Sequence, residues 1–145
     1  MHTYSFVYVH VVFATWNRHP HLVRELRPAL HAYVAGIAWN LGAADIYVGG
    51  IEDHLHLVGR FCPSRALSDS IGELKKSSGD WLRQTIPEFR WQRGFAAFSV
   101  SAGRIRYVQR YAMRQEQHHQ RRDFRRELEE LMNAMGVDVD DVGLL

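Results

Sequence analysis

Three features of the 145-residue sequence predict an α+β fold, a ferredoxin-like (RRM-like) βαββαβ sandwich followed by helices. The first run is β-branched and aromatic throughout and three later runs also read as strands, the stretch from Val23 to Leu41 repeats apolar residues at three- and four-residue steps, and a two-residue turn folds the second and third strand runs into a hairpin. Such a sandwich lays four antiparallel strands on two helices and leaves one sheet face for another element to cover. With 46% hydrophobic residues the chain can bury a core without a staple, so one domain is expected over 1–145, its core about 4–122 and its C-terminal helix and acidic tail 123–145.

The elements follow in order. YSFVYVHVVFAT (4–15) reads as the first strand, and the polar WNRHPH after it as a loop. From Val23 to Leu41, Leu26, Leu30, Val34, Ile37 and Leu41 mark one face of an amphipathic helix, and Gly42 stops it. Residues 44–51 and 54–61 are two strands joined by Glu52-Asp53, where Asp53 can accept local backbone bonds. Pro63 and Ser64 open a second helix over about 65–83, and FAAFSVS (95–101) is the fourth strand. A long polar helix starts near Arg104 and breaks near Arg122, because Asp123 is a good N-cap for FRRELEELMNAM and Gly136 a good stop.

Composition narrows the function. Cys62 is the single cysteine, which excludes an internal disulfide and a cysteine-rich zinc site. No run is long and apolar enough to span a bilayer, and the N-terminus lacks a signal peptide's features, so a cytoplasmic protein with no membrane partner is expected. The net charge of +2 hides segregation: residues 1–53 carry −1, residues 54–126 carry +9, and residues 127–145 carry −6. A basic middle suggests a polyanion such as nucleic acid, against the plainer reading of Arg-rich genome composition and a solvated helix face.

Strand 54–61 places His54 and His56 on one face and Leu55 and Leu57 on the other, since side chains two apart on a strand project together. Two imidazoles so spaced suit one divalent ion, although H-x-H alone is a weak pattern. In RIRYVQRYAMRQEQHH, Tyr107, Tyr111, Gln115 and His118 form one helical stripe, with Arg106, Arg110 and Arg114 on its flank. A tyrosine and an amide one turn apart, edged by guanidinium groups, suit a phosphate.

DHLH, KKSSGDWL, WQRGFAAFSVS and YAMRQEQHH, in that order, resemble the single-tyrosine HUH transposases of the smallest bacterial insertion sequences and their REP-associated tyrosine transposase relatives. The resemblance covers about Val11 to Leu131. It implies a bacterial enzyme that nicks and rejoins single-stranded DNA, often folded as a hairpin, through a 5′-phosphotyrosine. It makes Tyr111, four residues before Gln115, the nucleophile in preference to Tyr107. It makes His54, His56 and Gln115 ligands of Mg²⁺ or Mn²⁺, and it implies a homodimer that can exchange tyrosine helices. Ala112 and Arg114 depart from the family's usual residues beside the glutamine, and the His118-His119 doublet carries no assigned role.

Arg104, Arg106, Arg110, Arg114, Lys75 and Lys76 are candidate phosphate contacts, and Trp81, Trp91 or Phe95 candidate stacking residues. No general base for Tyr111 is visible in the sequence, and the acidic segment after Glu127 is expected to form a packed helix and a mobile end away from DNA. The rival readings are an RRM-like binder, a zinc hydrolase and an inactive transposase descendant.

Overall fold

The structure, a computed structural model, describes residues 2–115, 117 and 123–136. Its strands are β1 (Tyr8–Ala14), β2 (Ala44–Gly50), β3 (His54–Arg60) and β4 (Ala96–Val100), and its helices α1 (Arg27–Asn40), α2 (Leu67–Arg83), α3 (Ile105–Met113) and α4 (Phe124–Ala134). The sheet order is β2-β3-β1-β4 with every neighbour antiparallel. The predicted ferredoxin-like sandwich is the observed architecture.

Strand alternation builds two unlike faces. Val9, Val11, Phe13, Leu55 and Leu57 point to the rear, where they bury against Leu30, Val34 and Ala38 of α1 and Ile71, Leu74 and Leu82 of α2. Each fully buried side chain of this size contributes roughly 1.5–3 kcal/mol, so the rear layer is the main source of stability. On the front face Val12 and Ala14 pack against Phe124 and Leu128 of α4, with Phe98, Leu131 and Met132 around them. The face left open by the βαββαβ core is thus covered by the C-terminal helices.

β3 carries the histidines between two neighbours: His56 pairs with Val12 of β1 and Gly49 of β2, and His54 pairs with Ala14. Gly49 lets α3 sit directly on the sheet, because a Cβ there would lie 1.7 Å from the Ala112 carbonyl oxygen. A glycine within a strand marks just such a close backbone approach.

Several boundaries differ from expectation. β1 begins at Tyr8, where its pairing with both Arg60 and Val100 begins; the exposed Tyr4 and Phe6 precede the ladder. α1 starts at Arg27, with Pro28 in its first turn, where a missing N–H costs no helical bond. α3 leaves helical geometry at Arg114, whose N–H bonds to the carbonyls of both Arg110 and Tyr111 and tightens the last turn. The break expected near Arg122 lies outside the described residues, as do His118 and His119. Asp123 is the N-cap anticipated for α4, its Oδ1 accepting the Arg126 N–H at 2.9 Å.

Candidate functional site

His54 and His56 lie fully buried beneath α3 and α4. Each ring is held from behind. His54 Nδ1 is 2.7 Å from Asp53 Oδ1, so the turn aspartate orients the imidazole instead of accepting the local backbone bond expected of it. His56 Nδ1 is 2.6 Å from Nε2 of His10, a buried histidine on β1. Both Nε2 atoms face the front helices: His54 Nε2 is 3.2 Å from Gln115 Oε1, and His56 Nε2 is 2.8 Å from Glu127 Oε1. The Gln115 amide is oriented by its own Nε2, which donates to the Tyr111 carbonyl at 3.0 Å.

Glu127 is the residue that joins these groups. It is fully buried, its Oε1 also lies 3.5 Å from His54 Nε2, and its Oε2 accepts the Tyr111 hydroxyl at 2.6 Å. A buried carboxylate is tolerated when it is paired and hydrogen-bonded, and here the partners include the two imidazoles and the phenol. Tyr111 stands edge-on to His56 and His10, with ring centroids 5.8 and 6.1 Å away. Tyr107 sits one turn back, 59% exposed, beneath the Arg104 guanidinium. Of the two tyrosines, Tyr111 alone among the described contacts bonds into the histidine cluster.

The electrostatics agree with the geometry. Burial by itself lowers the pKa of His54, but its hydrogen bonds to Asp53 and Glu127, with the charges of both, outweigh this and raise it. His10 is pushed down to about 3, first by burial and then by repulsion from His56, so it is neutral at ordinary pH. The ligand-capable atoms of His54, His56 and Glu127 all lie within 4.8 Å of one another. Two imidazole nitrogens, a carboxylate oxygen and the adjacent Gln115 amide oxygen make a mixed N/O donor set suited to a divalent cation. A cavity of about 280 Å³ opens beside them, lined by His10, Arg104, Tyr107, Tyr111 and Glu127 among others.

The family described as "Transposase IS200 like" matches residues 3–115. The chain belongs to this family. Its fold is also that of two solved transposase structures. One is a candidate transposase from Deinococcus radiodurans R1, with TM-score 0.63 and 22% identity over 77% of this chain and 92% of that one. The other is a REP-associated tyrosine transposase bound to a REP hairpin, with TM-score 0.56 and 14% identity over 77% of this chain and 67% of that one. A search of curated proteins finds no match.

In this transposase the sequence-predicted site residues divide into two groups. His54, His56, Gln115 and Tyr111 converge, and Arg104 lines the cavity beside Tyr111. Arg106 and Arg110 are exposed on α3, while Arg114 lines a separate depression with Arg24, Arg27 and His31. Lys75 and Lys76 belong to α2, in the layer behind the sheet. Lys75 Nζ donates to the Gln92 and Gly94 carbonyls at 2.6 Å each, which ties down the WQRG segment. Trp91 packs edge-on to Phe13 and donates to Ser78, so KKSSGDWL and WQRG interlock as a rear support. Trp81 stacks on Tyr33, and Phe95 packs against the rear core.

Sequence reasoning did not single out Glu127. The acidic segment forms a packed helix as expected, and that helix places its first carboxylate beside His54, His56 and Tyr111; residues 137–145 lie outside the described residues. Glu127 had a legible signal, since it interrupts the apolar stripe of Phe124, Leu128 and Leu131 on α4. His10 had a weaker one, a histidine inside the apolar run YVHVVFA on the same strand face as Val12 and Ala14.

Proposed function

We propose that this transposase nicks and rejoins single-stranded DNA, including hairpin-forming element ends, through a covalent 5′-phosphotyrosine at Tyr111. The observation that carries this is one carboxylate shared between nucleophile and histidines: Glu127 Oε2 holds the Tyr111 hydroxyl at 2.6 Å while Oε1 holds His56 at 2.8 Å. A free phenol, with a pKa of about 10, is a poor nucleophile at neutral pH, and an adjacent base removes that handicap.

The Tyr111 oxygen forms a bond to phosphorus, the bond from phosphorus to the 3′-oxygen breaks, the phenolic proton passes to Glu127, and the departing 3′-oxygen takes up a proton from water to give a free 3′-OH. Rejoining is the reverse attack of a 3′-OH on the phosphotyrosine, so no nucleotide cofactor is consumed. His54, His56, Gln115 and Glu127 would hold Mg²⁺ or Mn²⁺, which when bound supplies Lewis-acid polarisation of the scissile phosphate. The chain's own residues do the rest: the cavity admits the phosphate, Arg104 offers it a guanidinium, and the packing of α3 and α4 keeps bulk water from the buried histidines.

An RRM-like binder would offer stacked aromatics on an uncovered sheet, whereas here α3 and α4 occupy that face. The reading includes a homodimer joined through a sheet edge, for which β2 and β4 are the edge strands. Tyr111 already stands beside the histidines of its own chain, so no exchange of helices is required.

The test is incubation of the full chain and Mg²⁺ or Mn²⁺ with end-labelled single-stranded DNA from the flanks of its own gene, resolved on denaturing gels. A protein–DNA adduct is expected in wild type, retained in Tyr107→Phe and abolished in Tyr111→Phe. Adduct surviving in Tyr111→Phe rejects this nucleophile, and adduct surviving in a His54→Ala, His56→Ala double variant rejects the metal site.

A further inference from the structure

An imidazole that ligates an ion through Nε2 carries its hydrogen on Nδ1, and in a buried site something must accept that hydrogen. For His54 the acceptor is the Asp53 carboxylate at 2.7 Å. For His56 the group in that position is another imidazole. His10 Nε2 faces His56 Nδ1 at 2.6 Å, the ring planes are inclined by 27° with centroids 4.9 Å apart, and both residues are buried. Two N–H groups, or two bare lone pairs, repel at that distance, so a single hydrogen lies between the rings.

We propose that His10 is a positioning residue for the metal site: its Nε2 accepts the hydrogen of His56 Nδ1 and thereby holds His56 in the tautomer whose Nε2 lone pair is available to a divalent cation. This rests on the metal site proposed above and adds a residue to it. His10 then carries its own hydrogen on Nδ1, and His10 lines the cavity beside Tyr111, where solvent can accept it. The β1–β3 register sets up the contact, because His10 and His56 lie on the same sheet face, the former paired with Val58 and the latter with Val12, one diagonal step apart. Without a metal the same pair works in reverse: His56 Nε2 gives its hydrogen to Glu127, and His10 can supply one to Nδ1. Loading therefore moves the hydrogen on His56 from the Glu127 side to the His10 side.

The structural rival is that His10 only fills space between Phe98 and Tyr111, whose rings lie 6.0 and 6.1 Å away. Phenylalanine fills that space and cannot accept a hydrogen, whereas glutamine can. The experiment is titration of the full chain with Mn²⁺ alone, followed by electron paramagnetic resonance, with no DNA present. His10→Phe is expected to weaken Mn²⁺ binding by about 10–100-fold, and His10→Gln to recover most of the loss. Nitrogen-15 spectra of the Mg²⁺-loaded wild type, which need no variant to fold, are expected to place hydrogen on His56 Nδ1 and none on His10 Nε2. If wild type binds no Mn²⁺, the metal site itself falls and this role with it. If wild type binds but His10→Phe binds as tightly, or if loaded His56 carries hydrogen on Nε2, the role of His10 is overturned while the metal site stands.

Discussion

At Glu127 one carboxylate serves His54, His56 and the Tyr111 hydroxyl from a fully buried position. Glu127→Gln keeps the shape and removes the charge and the proton-accepting ability. Adduct formation should slow by about 10²–10⁴-fold, the usual weight of a positioned base. Mn²⁺ affinity should fall by on the order of tenfold or more, because a buried negative charge beside the ion is lost. Tyr111→Phe, measured in parallel, should abolish the adduct while leaving Mn²⁺ affinity near wild type. Equal Mn²⁺ affinity in Glu127→Gln and wild type would remove Glu127 from the ligand set. These two residues also show what a sequence displays and what it hides. Tyr111 and Gln115 are one turn apart, and His54 and His56 alternate on one strand, so local periodicity exposes both pairs. Glu127 meets His56 across 71 residues and His10 meets it across 46, separations at which no local period operates.

The same distinction holds for whole elements. Strands and helices were legible because each carries its own period, and α4 was legible from its Asp123 cap. The docking of α3 was not, because it depends on what β2 lacks: at Gly49 the Ala112 carbonyl occupies the space a side chain would need. The start of β1 at Tyr8 is likewise set by neighbouring elements, by where its partner strands stop. Gly49→Ala tests the docking directly. Its Cβ would fall 1.7 Å from a backbone oxygen, which no rotamer can relieve, so α3 must lift from the sheet. The rear core is untouched, and the far-UV circular dichroism should remain that of a folded α+β protein, with a thermal midpoint lowered by several degrees for a loss of about 1–3 kcal/mol. Adduct formation should nevertheless fall by about 10²-fold or more, since a displacement of 1 Å at the reacting groups has that effect. Unaltered adduct yield would show that α3 does not need its seat on β2.

At the scale of the molecule, a rear layer of α1 and α2 supports the sheet and a front layer of α3 and α4 brings chemistry to it. The layers approach each other around the β2 edge, where Arg24, Arg27 and His31 of the rear side share a depression with Gly49, Met113 and Arg114. His31 makes this junction sensitive to acid. Its pKa is lowered to about 4, chiefly by burial and further by the charge of Arg27. In the unfolded chain it titrates near its ordinary value of 6.5, so as pH falls from there the unfolded state takes up a proton that the native state refuses. The stability contributed by neutral His31 is therefore complete above about pH 6.5 and is lost progressively toward pH 4. His10, lowered to about 3, acts in the same direction, while His54, whose pKa is raised, acts in the opposite one and loses its contribution as pH rises. Carboxylates titrate in the same acid range, so the useful quantity is the difference between wild type and His31→Gln. Urea unfolding of the metal-free protein at about pH 7 and about pH 4.5 should show wild type losing more stability than the variant, by no more than about 2 kcal/mol once the partial exposure of His31 is discounted. Equal losses in the two proteins would mean that the β2 junction accepts a charged imidazole without cost, and that acid acts on the fold elsewhere.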